Sequence, residues 1–128
     1  MKLLLDTCTF LWVITGDPHL SRQARSLVTD PANEVYLSVV SAWEIVVKHA
    51  LGRLPLPTDP ETLVPRERER HHIEPLPLDE TSALNVRRLP ALHRDPFDRM
   101  LVSQAIIGGL AIVTPDREVA QYPARVLW

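Results

Sequence analysis

The sequence predicts an α/β protein in which a central, mainly parallel sheet is covered by helices on both faces, a three-layer α/β/α sandwich. Short apolar segments such as KLLL and LAIVT alternate with segments whose apolar residues recur at helical spacing. Strands this apolar cannot keep one face in water, so both faces must be covered. The 128 residues fit a single domain spanning 1–128, because a chain of this length buries about two thirds of its surface in one core.

The first half of the chain supplies two strands and three helices. KLLL is a strand that ends at Asp6, and TFLWVIT is a helix that a glycine closes. Ser21 caps the next helix, RQARSLV, and EVYLS is the second strand. Either Ser38 or Ser41 can cap the helix AWEIVVKHAL, because a serine hydroxyl accepts a hydrogen bond from the free N–H groups of a first turn.

The second half begins with a proline-rich stretch, RLPLPTDPETLVPRERERHHIEPLPL, which we expect to be loop-rich. One short charged helix is expected around 60–70, with Pro65 disturbing its centre. LDETSALNVRRL is a helix capped by Asp79, and a further helix from Phe97 to Ile107 ends at a Gly-Gly pair. LAIVT is then a strand, DREVAQY a short helix and ARVLW a closing strand.

Composition and charge exclude several classes of protein. A net charge of −2 excludes a polycation, so nucleic acid could be bound only through local basic patches. The single cysteine, Cys8, excludes an internal disulfide. Asp6 interrupts the apolar N-terminal segment, so neither a secretory signal nor a membrane span is expected and a cytoplasmic protein is the simplest interpretation. Zinc is disfavoured, because its ligands would have to come from scattered histidines, namely His19, His49, His71, His72 and His93.

Carboxylates stand where a parallel sheet would bind a ligand. Asp6 directly follows the first apolar strand, and Asp116 follows AIVT with only Pro115 between. Ligands of such sheets bind beyond the carboxyl ends of the strands, so these two residues could share one rim. Glu44 lies in a helix that is apolar almost all round; it is either an ordinary surface partner of Lys48 or a buried functional carboxylate.

The segment RDPFDRML brings two more carboxylates to the start of a helix. With Asp95 as the N-cap, Pro96 takes the first helical position and Asp98 the third, where negative charge is favourable. Capping and a metal site are both open interpretations, and one carboxylate suffices for the cap. Clustered carboxylates without thiolate or imidazole select Mg²⁺ or Mn²⁺, ions that activate water against a phosphate ester.

The remaining candidates are basic and aromatic. Arginines that flank the presumed site helix are candidates for contacts to backbone phosphates, namely Arg87, Arg88, Arg94 and Arg99. The Arg-Glu run at 66–70 is interpreted first as a solvated helix face. The three tryptophans, Trp12, Trp43 and Trp128, are interpreted as core residues, and Cys8 as a small packed side chain.

Four segments, LLLDTCTFLW, SAWEIVVKHALGRLPLP, HRDPFDRMLVSQA and IVTPDREVAQY, together resemble the PIN-domain ribonucleases, in particular bacterial toxins of the VapC type. The resemblance implies the α/β/α fold, a Mg²⁺- or Mn²⁺-dependent endoribonuclease, a homodimer and a small antitoxin protein as partner. The acids that it implies are Asp6, Glu44, Asp98 and Asp116. Supporting residues would be Asp95, Thr7, Ser41 and Thr114, and residues that bind RNA would be Arg99, Arg94 and Lys48.

Other functions were weighed against this resemblance. A phosphatase with an aspartate nucleophile after its first strand needs a second acid two residues later, but Cys8 stands there. A phospho-accepting receiver domain needs a lysine after a late strand, and the lysines here are Lys2 and Lys48. The remaining alternatives are a phosphate-ester hydrolase of another family and a PIN-like module that binds RNA or a partner without cleavage.

Overall fold

A computed structural model describes residues 1–92 and 94–128. Helices and strands alternate as the sequence predicts. In chain order they are β1 (Lys2–Leu5), α1 (Thr7–Thr15), α2 (Arg22–Thr29), β2 (Glu34–Ser38), α3 (Val39–Ala50), α4 (Pro60–Arg70), β3 (Ile73–Leu76), α5 (Glu80–Asn85), a 3₁₀ turn (Val86–Arg88), α6 (Pro96–Gly108), β4 (Ala111–Val113), a 3₁₀ turn (Val119–Gln121) and β5 (Val126–Leu127).

The strands form one sheet in the order β3-β2-β1-β4-β5, and every neighbouring pair is parallel. The chain leaves β1 toward β2 on one side and later crosses to β4 on the other. The carboxyl ends of β1 and β4 therefore flank the point at which the strand order reverses, where open α/β sheets bind their ligands. Leu5 is in register with Val113 at this point, so Asp6 and Thr114 follow side by side.

The central strand shows why both faces of the sheet need cover. Leu3 and Leu5 belong to one buried cluster and Leu4 to another, and all three side chains are fully buried. Alternate strand residues point to opposite faces. Helices α1, α2 and α4 pack on the face of Leu3 and Leu5, and α6 on the face of Leu4. This confirms the predicted three-layer α/β/α architecture with a parallel sheet.

Two local predictions were wrong. Residues 73–76, expected to be loop, form β3; the strand lies at the edge of the sheet, where Pro75 is tolerated because only one neighbour needs its hydrogen bonds. DREVAQY forms only the 3₁₀ turn Val119–Gln121. The charged helix expected around 60–70 is present as α4, and Pro65 lies inside it without ending it.

Two further features bear on function. Trp43, interpreted as a core residue, is 60% exposed, whereas Trp12 and Trp128 pack against the core. Among residues 1–92 and 94–128, no helix has both the length and the apolar content needed to cross a membrane. His93, one of the histidines considered for zinc, lies outside the described residues.

Candidate active site

Asp6 lies at the carboxyl end of the central strand and caps α1. One carboxylate oxygen, Oδ1, accepts a hydrogen bond from the Thr9 backbone N–H at 2.9 Å, and the residue is only 6% exposed. The start of a helix carries a partial positive charge, which stabilises a buried carboxylate there. Asp6 is thus the N-cap of α1, and it lies at the rim of the sheet where a ligand would bind.

Thr114 joins Asp6 to Asp116. Its hydroxyl donates to Asp6 Oδ2 at 2.5 Å and accepts from the Asp116 backbone N–H at 3.1 Å. Thr114 is 1% exposed, so this bridge is shielded from water. Asp116 itself is half-buried, and its Oδ1 accepts from the Glu118 N–H at 2.8 Å. The structure thus brings the carboxylates after β1 and β4 to one rim.

Glu44 is held on both of its oxygens. Thr7 donates its hydroxyl to Oε1 at 2.6 Å, and the Lys48 ammonium group forms an ion pair with Oε2. The Glu44 side chain is 5% exposed and that of Lys48 is 42% exposed. Glu44 therefore combines the two alternatives: it is an i,i+4 partner of Lys48, and it is a buried carboxylate.

Asp95 and Asp98 occupy the first turn of α6. Asp95 is the N-cap and accepts from the backbone N–H groups of Phe97 at 2.9 Å and Asp98 at 3.2 Å. Pro96 takes the first helical position and Asp98 the third, as predicted. Both aspartates are half-buried. Because Asp95 satisfies the helix start, Asp98 is not needed for the cap.

Two titratable neighbours, Cys8 and Lys48, lie within the electrostatic influence of Asp6, Glu44, Asp95 and Asp98. Burial, then the charge of Asp6 and, more weakly, that of Asp98 raise the pKa of the Cys8 thiol to about 12, and its sulfur lies 3.5 Å from Asp6 Oδ1. Burial opposes the charge of Lys48, but the hydrogen bond to Glu44 and the charges of Glu44, Asp95 and Asp98 together raise its pKa above the ordinary value. The charge of Asp98 therefore contributes to the raised pKa of Cys8, which contacts Asp6, and to that of Lys48, which contacts Glu44.

These carboxylates are not gathered round a common point. In the described part of the chain, no group of three or more His, Cys, Asp or Glu side chains is arranged to hold a metal ion. The donor chemistry, carboxylate oxygens at a sheet rim beside helix starts, suits a hard divalent cation. Asp6, Glu44 and Asp116 instead accept hydrogen bonds from donors of the protein itself. The carboxylate oxygens suit such an ion chemically, but in this structure they accept hydrogen bonds from the protein and, in the case of Glu44, pair with Lys48.

The hydroxyls expected to orient the carboxylates behave differently from one another. Thr7 donates its hydroxyl to Glu44, and Thr114 donates its hydroxyl to Asp6. Ser41 is fully buried, and within the described residues its hydroxyl has no hydrogen-bond partner. Ser38, not Ser41, caps α3 by accepting from the Val40 N–H at 3.0 Å.

Sequence reasoning missed three residues that hold the rim together. Thr9 donates its hydroxyl to the Val113 carbonyl at 2.9 Å and so ties α1 to β4. Ser38 donates to the buried Gln104 side chain, which in turn donates to the Pro77 carbonyl at 3.1 Å. Gln104 stands among the apolar residues of α6, and a polar residue in that position was the signal that could have identified it.

The basic candidates divide into two groups. Arg94 is exposed, whereas the Arg99 guanidinium donates to the carbonyls of Val86 and Pro90 and to the Tyr122 hydroxyl. Arg94, Arg99 and Glu118 contribute to a groove of about 610 Å³ beside the start of α6. Arg99 thus holds neighbouring segments together, and the groove gives both arginines access to a ligand.

An exposed aromatic pair lies next to the acidic cluster. Trp43 contacts Phe97 edge-on, with 4.9 Å between ring centroids, and these residues directly precede Glu44 and Asp98. Val39 and Val46, one turn away on either side of Trp43 on α3, are 44% and 50% exposed. This apolar strip therefore borders the site.

Comparison with known proteins agrees with the fold and the motifs. The family model described as PIN domain matches residues 3–124. Ribonuclease VapC16 of Mycobacterium tuberculosis is 35% identical in an alignment 107 positions long that covers 68% of this chain and 76% of that protein. A chain of VapBC2 from Rickettsia felis, solved with a promoter DNA fragment, superposes with a TM-score of 0.74 at 15% identity, covering 99% and 98% of the two chains. A chain of DNA-bound VapBC from Salmonella typhimurium gives 0.67 at 24% identity, covering 99% and 97%. At these identities the two structures show the fold.

Proposed function

The chain belongs to the PIN domain family, and we propose that it is a metal-dependent endoribonuclease that acts as the toxin of a toxin–antitoxin pair. In this proposal residues 1–128 act as one domain in the cytoplasm, where the RNA substrate is found. The observation that carries the proposal is the Thr114 bridge, which joins Asp6 to the Asp116 backbone beside the switch point of the sheet.

The proposed roles follow from where the side chains lie. Asp6 and Asp98 would be the principal ligands of the ion, with Glu44 and Asp116 completing its surroundings and Asp95 serving chiefly as the helix cap. A bound Mg²⁺ or Mn²⁺ would neutralise the phosphodiester charge and supply a water of lowered pKa for attack on phosphorus.

The protein's own residues supply positioning and substrate contacts. Thr7 and Thr114 fix the orientations of Glu44 and Asp6, and fixed ligand orientation is what hydrogen-bonded neighbours contribute at metal sites. Arg94 and Arg99 line the groove beside Asp98, where a guanidinium can contact the RNA backbone without reading its sequence. Lys48 would be a further contact to a phosphate.

Protein partners are also part of the proposal. The structural neighbours from Rickettsia felis and Salmonella typhimurium are VapBC complexes, and we infer an antitoxin for this chain as well. A homodimer is expected, and the exposed apolar residues of α3, Val39, Trp43 and Val46, offer a surface that a protein partner would cover.

Cleavage of a labelled single-stranded RNA with Mn²⁺, and with EDTA instead, tests the catalytic proposal. Asp6→Asn and Asp98→Asn should each lower the cleavage rate by more than about a hundredfold, because each removes one negative ligand. An asparagine still accepts the hydrogen bond at the start of α1, so the fold should persist. Asp30→Asn, an exposed aspartate outside the acidic cluster, is the matched control. Full Mn²⁺-dependent cleavage by either site variant would contradict the assignment, and RNA binding without cleavage by the native protein would favour the non-catalytic alternative.

A further inference from the structure

Lys48 occupies the position that a cation would be expected to take at this site. Its ammonium group pairs with Glu44 Oε2 while the Thr7 hydroxyl takes Oε1, so both oxygens of this buried carboxylate are engaged. A buried carboxylate without a cation or hydrogen bonds is costly. Among the described residues, Lys48 is the cation that forms an ion pair with it.

The position of Lys48 is also related to the rest of the acidic cluster. The charges of Asp95 and Asp98 act on Lys48 in addition to that of Glu44. A divalent ion placed among Asp6, Asp98 and Glu44 would therefore meet the positive charge of Lys48. Two cations cannot share one carboxylate oxygen without strong repulsion.

Lys48 can leave this position. Its side chain is 42% exposed, and a lysine carries its charge on a flexible four-carbon stem that can turn into water at little cost. Glu44 is fixed by Thr7 and by burial, so the ammonium group is the part of the pair that is free to move.

We propose that Lys48 is an internal counter-cation that holds Glu44 in the metal-free protein, and that a divalent ion completes its site by displacing it. This inference rests on the proposed function, since it concerns the same carboxylates. Once displaced, the Lys48 ammonium group is available to a phosphate oxygen of the RNA. Lys48 is thus a positioning residue with respect to the ion.

Calorimetric titration with Mn²⁺ and thermal unfolding of the metal-free protein test this inference without RNA. Lys48→Met should raise the Mn²⁺ affinity by about tenfold, because a positive charge that repels the ion is removed. The same substitution should lower the Tm of the metal-free protein, since Glu44 loses its cation, and added Mn²⁺ should restore it. Lys2→Met replaces the exposed lysine at the start of β1 and should leave both quantities unchanged.

Two further variants keep the test decisive. Lys48→Gln keeps a hydrogen-bond donor for Glu44 without the charge; it should fold even if the methionine variant does not, and should show the same gain in affinity. In a Glu44→Gln background, Lys48→Met should change the Mn²⁺ affinity much less, because the two effects act through one carboxylate.

The outcomes separate this inference from the proposed function. Unchanged or weakened Mn²⁺ binding by both Lys48 variants, with native RNA cleavage intact, would overturn the displacement of Lys48 and leave the nuclease assignment standing. Tighter Mn²⁺ binding by the variants, with no cleavage by the native protein, would support the displacement and count against the nuclease. Absence of Mn²⁺ binding by every variant would overturn both.

Discussion

Replacing Thr114 by valine would remove the hydroxyl that joins two of the candidate acids while keeping the shape of the side chain. Two hydrogen bonds would be lost, one donated to Asp6 Oδ2 and one accepted from the Asp116 N–H. A hydrogen bond to a charged group contributes about 1.5–3 kcal/mol and a neutral one about 1 kcal/mol. Because Asp6 is nearly inaccessible to water, solvent cannot replace the missing donor. We expect the free energy of unfolding to fall by about 2–4 kcal/mol.

This loss can be measured by thermal and urea unfolding. One kcal/mol corresponds to about 4 °C in Tm for a chain of this length, so Thr114→Val should lower the Tm by about 8–15 °C. The matched control is Thr114→Ser, which keeps the hydroxyl and loses one buried methyl group, at a cost of about 1 kcal/mol. Equal destabilisation of the two variants would refute the reasoning, because the methyl group and not the hydroxyl bridge would then account for the effect.

Three other changes follow from single contacts. Asp95→Ala should lower the free energy of unfolding by about 1 kcal/mol through loss of the α6 cap, and Asp95→Ser should not, as urea unfolding would show. Arg99→Ala should lower the free energy of unfolding by about 1–2 kcal/mol, because the carbonyls of Val86 and Pro90 lose their donor. A weaker salt dependence of RNA binding by this variant would indicate that Arg99 also contacts a phosphate. A Tm equal to that of Arg94→Ala would contradict the structural role of Arg99. Burial and the Asp6 charge raise the pKa of the Cys8 thiol from 9.0 to about 12, so native Cys8 should resist iodoacetamide at neutral pH. The thiol proton is released near pH 9 in the unfolded chain and only near pH 12 in the folded chain. The free energy of unfolding should therefore decrease between these pH values, and it should decrease less steeply in Cys8→Ser, which has no thiol.

The sequence was sufficient for the architecture because its strands are too apolar to be anything but buried. Parallel strands also carry their carboxyl ends to one edge, so residues 6 and 116 could be placed together before any coordinates were known. The strand at 73–76 escaped this reasoning because it contains Glu74 and Pro75 and lies in a proline-rich, charged stretch, which is typical of a loop. It forms because an edge strand needs only one hydrogen-bonded neighbour.

The details of the site depend on contacts that no periodicity encodes. The spacing of Glu44 and Lys48 predicts a pair, but not that the pair lies within the field of Asp98. Trp43 was misplaced because α3 is apolar almost all round, and hydrophobicity alone does not say which side of such a helix meets water. The bridging hydroxyl of Thr114 required a partner 108 positions away in the chain.

That separation has a consequence for the cell that makes the protein. Asp6 leaves the ribosome well before Thr114 and Asp116, because 108 positions separate Asp6 from Thr114. Under the proposed function, a nascent or prematurely terminated polypeptide would lack the strand that completes the cutting centre. RNA cleavage by the nascent chain would then be withheld until translation has passed residue 116 and β4 has joined β1.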